Sequence, residues 1–336
     1  MLNNIITVIV VLGIITVGML IRKKYDIRIV LFGVGIFFML TACFDDNSNG
    51  GDMVVAENRP LQIGLMPTMD SVAIATAYEL GFFTAHGVQV ELIPFSSARD
   101  RDSAFQAGAL DGATVDLIAV GLFNEGGIPI RATSVTTAHF TLIGQSQYED
   151  LESLADGTIM ISYNTAIDFV MDQMLYTHGL SHDHIVREEV GNIPARFEMV
   201  RTGQAEAALI SEPFATMAVA DGLSVISDTF QIDFNPFALA FSLDIIENRA
   251  DDLRAFYLAY DEAVAFLNSN PIEAHLDMIV DLIGFPEVVV DYIALPTFLT
   301  SAVPSDEIVE IARRWLIGRA LISADTNPAD FTHEIE

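Results

Sequence analysis

Across 336 residues the sequence holds one cysteine, one tryptophan and only 16 Lys+Arg against 46 Asp+Glu. A single cysteine excludes an intramolecular disulfide and any zinc or iron–sulfur site built on several thiolates. A formal charge of −30, with no local basic patch, excludes a nucleic-acid-binding role because such a surface repels phosphate. Catalytic signatures are missing too: there is no G-x-S-x-G, no P-loop and no H-E-x-x-H. Carboxylate pairs such as Asp251-Asp252 fall on helix surfaces, where a solvated face is the default. Lysine is confined to Lys23 and Lys24, so every later cation is an arginine.

What is present is apolar: 51% of the residues are hydrophobic, and the length allows one large or two medium domains with ample core. The excess is concentrated in residues 1–42, broken only around Arg22-Lys23-Lys24 and Asp26-Ile27-Arg28. Residues 29–40 form a run of h-region length behind a cationic stretch, and Leu40-Thr41-Ala42-Cys43 follows. That order resembles a bacterial lipoprotein signal, which implies acylation of Cys43 and a mature chain starting there. The earlier run over residues 5–21 has no use in such a signal. A start at Met19, opening Met-Leu-Ile-Arg-Lys-Lys, accounts for it; a genuine first membrane helix is the alternative. Residues 43–58, rich in Gly, Asn and Asp, read as a flexible tether. Loss of residues 1–42 removes four cations and one acid, leaving the remainder more acidic still. A lysine-free acidic surface suits high salt or high pH, and equally suits plain solubility.

From residue 59 strand-like and helix-like segments alternate. Strand patterns occur at 61–65, 88–93, 113–115, 130–135, 141–144, 158–162, 185–190, 207–210 and 224–227. Helices are expected over 103–110, from Asp116, over 195–202 and from Pro213. Ile74, Ala77, Tyr78 and Gly81 share one helical face, and Ile167, Val170, Met171, Met174 and Leu175 form the clearest stripe. Residues 251–321 read as mainly helical, with Leu253, Phe256, Tyr257, Tyr260, Val264 and Leu267 in phase. The pattern is α/β, as two lobes of β-α repeats over mostly parallel sheets plus a helical C-terminal segment.

Three segments then carry a resemblance. Residues 77–92, from Ala77 through Glu79, Gly81-Phe82-Phe83 and Gly87-Val88 to Leu92, are similar to the "A-x-E-x-G-[FY]-F-x-x-x-G-[LV]-x-V-x-L" segment of type II periplasmic solute-binding proteins of the thiamine-precursor, sulfonate and nitrate group. Residues 106–113, with Gly108 and Asp111, and residues 203–213, ending Glu212-Pro213, resemble two further elements of that group. The resemblance implies a two-lobed type II periplasmic-binding-protein fold with a hinge and an interlobe cleft. Lobe I is expected from 59–137 plus 239–336 and lobe II from 138–238, with crossings near 136–139 and 235–238. Asn235-Pro236 suits a hinge, since the residue before proline is held extended.

Ligands of open α/β sheets bind beyond the carboxyl ends of strands, which singles out Thr68, Asp70, Ser96, Ser97, Arg99, Thr114, Asp116, Tyr163, Asn164, Thr165, Asn192, Arg196, Glu212 and Phe214. Asp70, Ser97, Asp116 and Thr165 are equally ordinary N-cap residues, and Tyr163, Phe95 and Phe214 equally ordinary core aromatics. Arg99 and Arg196 suit an anionic group; Asp70, Asp116 and Glu212 suit an amine or ring N–H. The acidic candidates outnumber the basic ones, which tilts the expected solute toward a neutral or cationic heterocycle. His178, His182, Asp183 and His184 are metal-like in spacing, but Gly179 breaks their helix and the segment reads as a solvated loop. No metal and no cofactor are expected. The resemblance implies a monomeric, non-enzymatic lipoprotein on the periplasmic or outer face of the cell membrane, passing a small molecule to an ABC permease and its ATPase. The alternatives are a ligand-binding module of a membrane sensor and an enzyme of thiamine- or menaquinone-precursor metabolism on the same fold.

Overall fold

The computed structural model describes residues 59–270, Leu282 and 296–335. The signal over 1–42, Cys43 and the tether to residue 58 lie outside the described residues. Strands β1 (Leu61–Leu65), β2 (Val90–Pro94), β3 (Gly112–Asp116) and β4 (Ile130–Val135) are followed by β5 (Phe140–Gly144), β6 (Thr158–Ile161), β7 (Val186–Glu189), β8 (Ala207–Ser211) and β9 (Ser224–Asp228). The last strand, β10, is Phe237–Ser242. They make two five-stranded sheets, ordered β2-β1-β3-β10-β4 and β7-β6-β8-β5-β9. In each sheet four strands share a direction and one, β10 or β5, runs against its neighbours. The two sheets are thus topological copies, and the reversed strand in each is the one that arrives straight from the other sheet.

Strands covered on both faces need apolar residues at every position, and β3, β5 and β8 are buried throughout. Helices Val72–Glu79 and Ala250–Ser269 cover one face of the first sheet, where Leu61, Ile63, Phe241 and Phe256 pack. Helices Leu117–Glu125 and Asp306–Gly318 cover the other. The second sheet lies between helix Ala166–Thr177 and the pair Ile193–Arg201 and Phe214–Ala220. The stripe from Ile167 to Leu175 and the phased set from Leu253 to Leu267 are both buried, as their 3.6-residue spacing requires. Gly81 and Gly108 adopt φ of +75° and +72° where a helix ends, a backbone region that side chains disfavour.

Two elements differ from expectation. The helix predicted over 103–110 spans Ala98–Gln106, because the Ser97 hydroxyl accepts from the Asp100 N–H and caps it five residues earlier. Its first turns are Ala-Arg-Asp-Arg-Asp and carry no apolar period. Strand β10 lies outside the set of expected strands, since its Phe-Ala-Leu-Ala-Phe run is apolar on both faces and shows no alternation. Among the described residues no helix is long and apolar enough to cross a membrane.

The chain passes between the sheets after β4 and returns before β10, and the two crossings are bonded together. Asn235 Nδ2 donates to the Thr136 carbonyl at 2.9 Å, the Thr136 N–H donates to the Phe237 carbonyl at 3.2 Å, and Asn235 Oδ1 accepts the Phe237 N–H at 3.1 Å. Within the first sheet, Gly112 lies against Phe241, whose ring would stand 2.5 Å from an added Cβ. Gly112→Ala is therefore expected to cost about 1–3 kcal/mol of stability, read by denaturant unfolding. Unchanged stability would mean that Phe241 moves aside freely.

Candidate functional site

A cavity of about 60 Å³ lies where the C-terminal strand ends of the two sheets face each other. The first sheet contributes Thr68 and Asp70 after β1, Arg101 from the helix after β2, and Val115 and Asp116 at the end of β3. The second contributes Ser162 and Thr165 after β6, Gly191 and Arg196 after β7, and Ser211 at the end of β8. Phe140 and Phe237, one from each crossing, meet edge-to-face at 4.9 Å and close the hinge side. At roughly 10–15 Å³ for each water, the space holds about four to six waters or one small ring.

The polar groups are buried and mostly engaged. Asp116 Oδ1 accepts the N–H groups of Ile118 and Ala119 at 3.0 and 2.9 Å, so it caps its helix and also faces the cavity. Thr165 does the same for Ile167 at 3.2 Å. Asp70 caps nothing: it sits in the one-turn segment Met69–Ser71 and accepts a hydrogen bond from the Thr68 hydroxyl. Burial pushes its carboxyl up to about 6, against the pull of Thr68 and Arg101. Burial likewise raises Asp116, with Arg101 opposing. Burial works against the Arg101 charge, yet Asp102, Asp116 and Asp70 outweigh it and hold Arg101 above the usual arginine value. Arg101 donates to Asp102 at 2.7 Å and to the Thr114 carbonyl at 2.7 Å.

Contacts between the lobes flank the cavity on two sides. At its mouth the Ile193 N–H donates to the Ser96 carbonyl, Asn192 Nδ2 to the Ser96 hydroxyl, both at 3.4 Å, and Arg99 meets Glu189 at 3.5 Å. On the other side the helix Asp306–Gly318 and the residue after it reach the helix Ala166–Thr177. Arg319 meets Asp168 at 2.8 Å and Asp172 at 2.6 Å, and Trp315 Nε1 donates to Asp172 at 2.8 Å. Arg187 adds a second cation to Asp172 at 2.7 Å, and the fully buried Phe169 packs on Trp315 and Phe234.

Of the residues singled out from sequence, Thr68, Asp70, Asp116, Thr165 and Arg196 line this cavity. Ser96, Arg99 and Asn192 meet at the mouth. Ser97 is a cap, and Thr114 is buried in β3 with its carbonyl on Arg101. Tyr163 lies outside, its hydroxyl donating to the Arg187 carbonyl at 3.0 Å. Asn164 donates its N–H to Asp168 at 3.2 Å and borders an open depression beside Trp315. Glu212 accepts the Thr216 N–H at 3.0 Å, and Phe214 packs in the core against Phe197. His182 pairs with Asp172 at 2.8 Å; His178 and His184 bond to backbone carbonyls. Among the described residues no three His, Cys, Asp or Glu side chains are grouped to hold a metal ion.

Arg101, Ser211, Phe140 and Phe237 line the cavity without having been singled out. The helix start explains the first. Once Ser97 caps, Arg99 and Arg101 are about 200° apart around the axis, so Arg99 faces solvent and Arg101 faces inward. Phe140 and Phe237 carry a signal only in their position beside the two crossings.

A model of the family described as "NMT1/THI5 like" matches residues 68–274, more than half of the sequence. The chain belongs to the NMT1/THI5-like family. A Brachyspira hyodysenteriae protein named as an ABC transporter periplasmic binding protein is 22% identical to this NMT1/THI5-like chain over 271 residues, which is 74% of this chain and 76% of that one. The crystal structure of the periplasmic aliphatic sulphonate binding protein SsuA of Escherichia coli superposes with a TM-score of 0.70 at 14% identity, covering 83% of this chain and 93% of that one. The periplasmic nitrate-binding protein NrtA of Synechocystis PCC 6803 gives 0.63 at 15% identity, over 80% and 83%. These neighbours share the two-lobed α/β fold of periplasmic binding proteins.

A carboxyl that titrates higher folded than unfolded stabilises the protein only while it is protonated. For Asp70 that contribution is full below about pH 4 and is lost as pH rises to about 6, a penalty of roughly 3 kcal/mol thereafter. Asp70→Asn is expected to be about 1–3 kcal/mol more stable than wild type above pH 7 and to lose that advantage near pH 4, in melting curves across the range. A destabilised variant at pH 7 would show that the carboxylate is not a burden. Arg319→Ala strips a cation from buried Asp168 and is expected to cost about 1–3 kcal/mol. Because Trp315 is the lone tryptophan, its emission should shift to the red in the same variant. Unchanged emission would place Trp315 outside the contact.

Proposed function

We propose that this chain is the solute-binding component of an ABC importer, outside the cytoplasm and held to the membrane through a lipid on Cys43. It captures a small metabolite between its lobes and passes it to the permease and its ATPase. The observation that carries this reading is the interlobe cavity, walled by strand ends from both sheets and lined by buried charged groups. Membership of the NMT1/THI5-like family and the name of the Brachyspira relative support it. Residues 59–137 with 239–336 act as one lobe and 138–238 as the other, hinged where Asn235 bonds to Thr136.

The favoured solute is a pyrimidine resembling a thiamine precursor, or a related small heterocycle. The space suits one ring, Phe140 and Phe237 offer it apolar faces, and Asp70 suits an amino or ring N–H group. Sulfonates and nitrate, for which the two structural neighbours are named, rank lower because nitrate and simple alkanesulfonates bring no donor for Asp70. Thr68, Asp70, Asp116, Thr165 and Arg196 are proposed to touch the solute. Contact with both lobes exists only when they are shut, so binding shifts the population toward the closed form that a permease recognises.

A thermal-shift screen of the purified protein against pyrimidines, thiamine, riboflavin, sulfonates, nitrate, amino acids and polyamines tests this. A solute at about 100 times its Kd adds about 2.7 kcal/mol and raises Tm by about 4–5 °C. The expected hit is a single-ring heterocycle whose effect disappears in Asp70→Asn. Silence across the panel from a well-folded protein would overturn the proposed solute class.

A further inference from the structure

In a chain with almost three acids for each cation, an arginine finds a carboxylate easily. Every other arginine among the described residues has one as an ion-pair partner. Arg196 has none, although it is fully buried and lines the interlobe cavity. Its Nη1 donates to the Val190 carbonyl at 2.8 Å, while Nε and Nη2 have no partner. Those two nitrogens form one edge of the guanidinium, the fork that grips two oxygens side by side. Glu189, the acid whose charge acts on it, already accepts the Tyr163 N–H at 2.6 Å and meets Arg99 at the mouth. A second buried group at the same cavity is also unpartnered: the Ser211 hydroxyl at the end of β8.

A buried, unpaired guanidinium is among the costlier things a fold can hold. Arg101, the other cation of the cavity, is tied to Asp102 and to a carbonyl, and Asp116 is occupied as a cap. The acid excess that describes the whole chain therefore does not describe this cavity. We infer that the solute supplies the missing counter-charge: a planar two-oxygen anion, a carboxylate or its equivalent, seated on the Nε/Nη2 edge of Arg196 beside Ser211, with an N–H donor directed to Asp70. This rests on the solute-binding reading and narrows it to an amphoteric compound, such as a heterocycle bearing an acidic substituent.

Arg196→Met and Arg196→Lys, compared with wild type without solute and with the matched probes 4-aminopyrimidine and 4-aminopyrimidine-5-carboxylate, test the inference. Without solute, Arg196→Met should melt at or above the wild-type temperature, since it deletes an unpaired buried charge. The acid should bind wild type more tightly than the neutral ring, and Arg196→Met should weaken the acid about 10- to 100-fold while weakening the neutral ring by less than about 3-fold, so that the preference for the acid is lost. Arg196→Lys should keep part of the preference, having the charge without the fork. Two results overturn the inference: equal binding of acid and neutral ring to wild type, or a solute-free Arg196→Met that melts well below wild type with Arg196→Lys restoring it. If neither probe shifts wild type, the proposed solute class fails, and the solute-free melting comparison still judges Arg196 by itself.

Discussion

The rest of the molecule follows from how the chain crosses between its two sheets. Each crossing delivers a reversed strand, β5 or β10, into the sheet it enters, and Asn235 bonds one crossing to the other through the Thr136 carbonyl. With the two passages fixed side by side, the parallel strands of both sheets point their C-terminal ends at one shared space. Loops and helix starts emerge there, carrying N–H groups that no strand consumes. A cleft walled by polar chain ends from both sheets is the geometric outcome, with the aromatic pair Phe140 and Phe237 on its crossing side.

Within that space the governing quantity is the cost of desolvating charge. Asp70, Asp116, Arg101 and Arg196 are all buried, and each answers the cost differently. Asp116 spends its carboxylate on helix N–H groups, Arg101 on Asp102, and Asp70 on a hydroxyl and a raised affinity for its proton. Arg196 alone is left without an acid, with its pKa lowered by burial to about 10 and thus still charged at neutral pH. Sites of this kind trade stability for selectivity, since a group that no neighbour satisfies is one that a ligand must.

Much of this was legible in the chain. Alternating β and α periods placed nine of the strands, and the rule that ligands bind at strand ends found Asp70, Asp116, Thr165 and Arg196 at the cavity. The failures share a physical origin. Arg99 was chosen over Arg101 because the phase of a polar helix depends on where it is capped, and Ser97 sets that phase without any apolar period to reveal it. Tyr163 and Phe214 follow strands just as Phe140 and Phe237 flank them, but only the crossing geometry decides which rings face inward. The tilt toward a neutral or cationic solute rested on Asp70, Asp116 and Glu212 outnumbering the basic candidates; Asp70 and Asp116 do line the cavity, and Glu212 does not, because its carboxylate turns to the Thr216 N–H.

The two sides of the cleft differ in how deeply their charges lie. The mouth pair is loose and wet, with the Arg99 side chain 79% exposed and 3.5 Å from Glu189. The opposite contact runs deeper, with Asp168 wholly buried beneath Arg319 and Phe169 packed beside Trp315. Dissolved ions weaken an exposed pair strongly and a buried one little, since the screening length at physiological ionic strength is about 8 Å of open solvent. Rising ionic strength therefore loosens Arg99 from Glu189 and leaves Asp168 and Arg319 nearly as they were, so salt content biases the two edges of the cleft unequally.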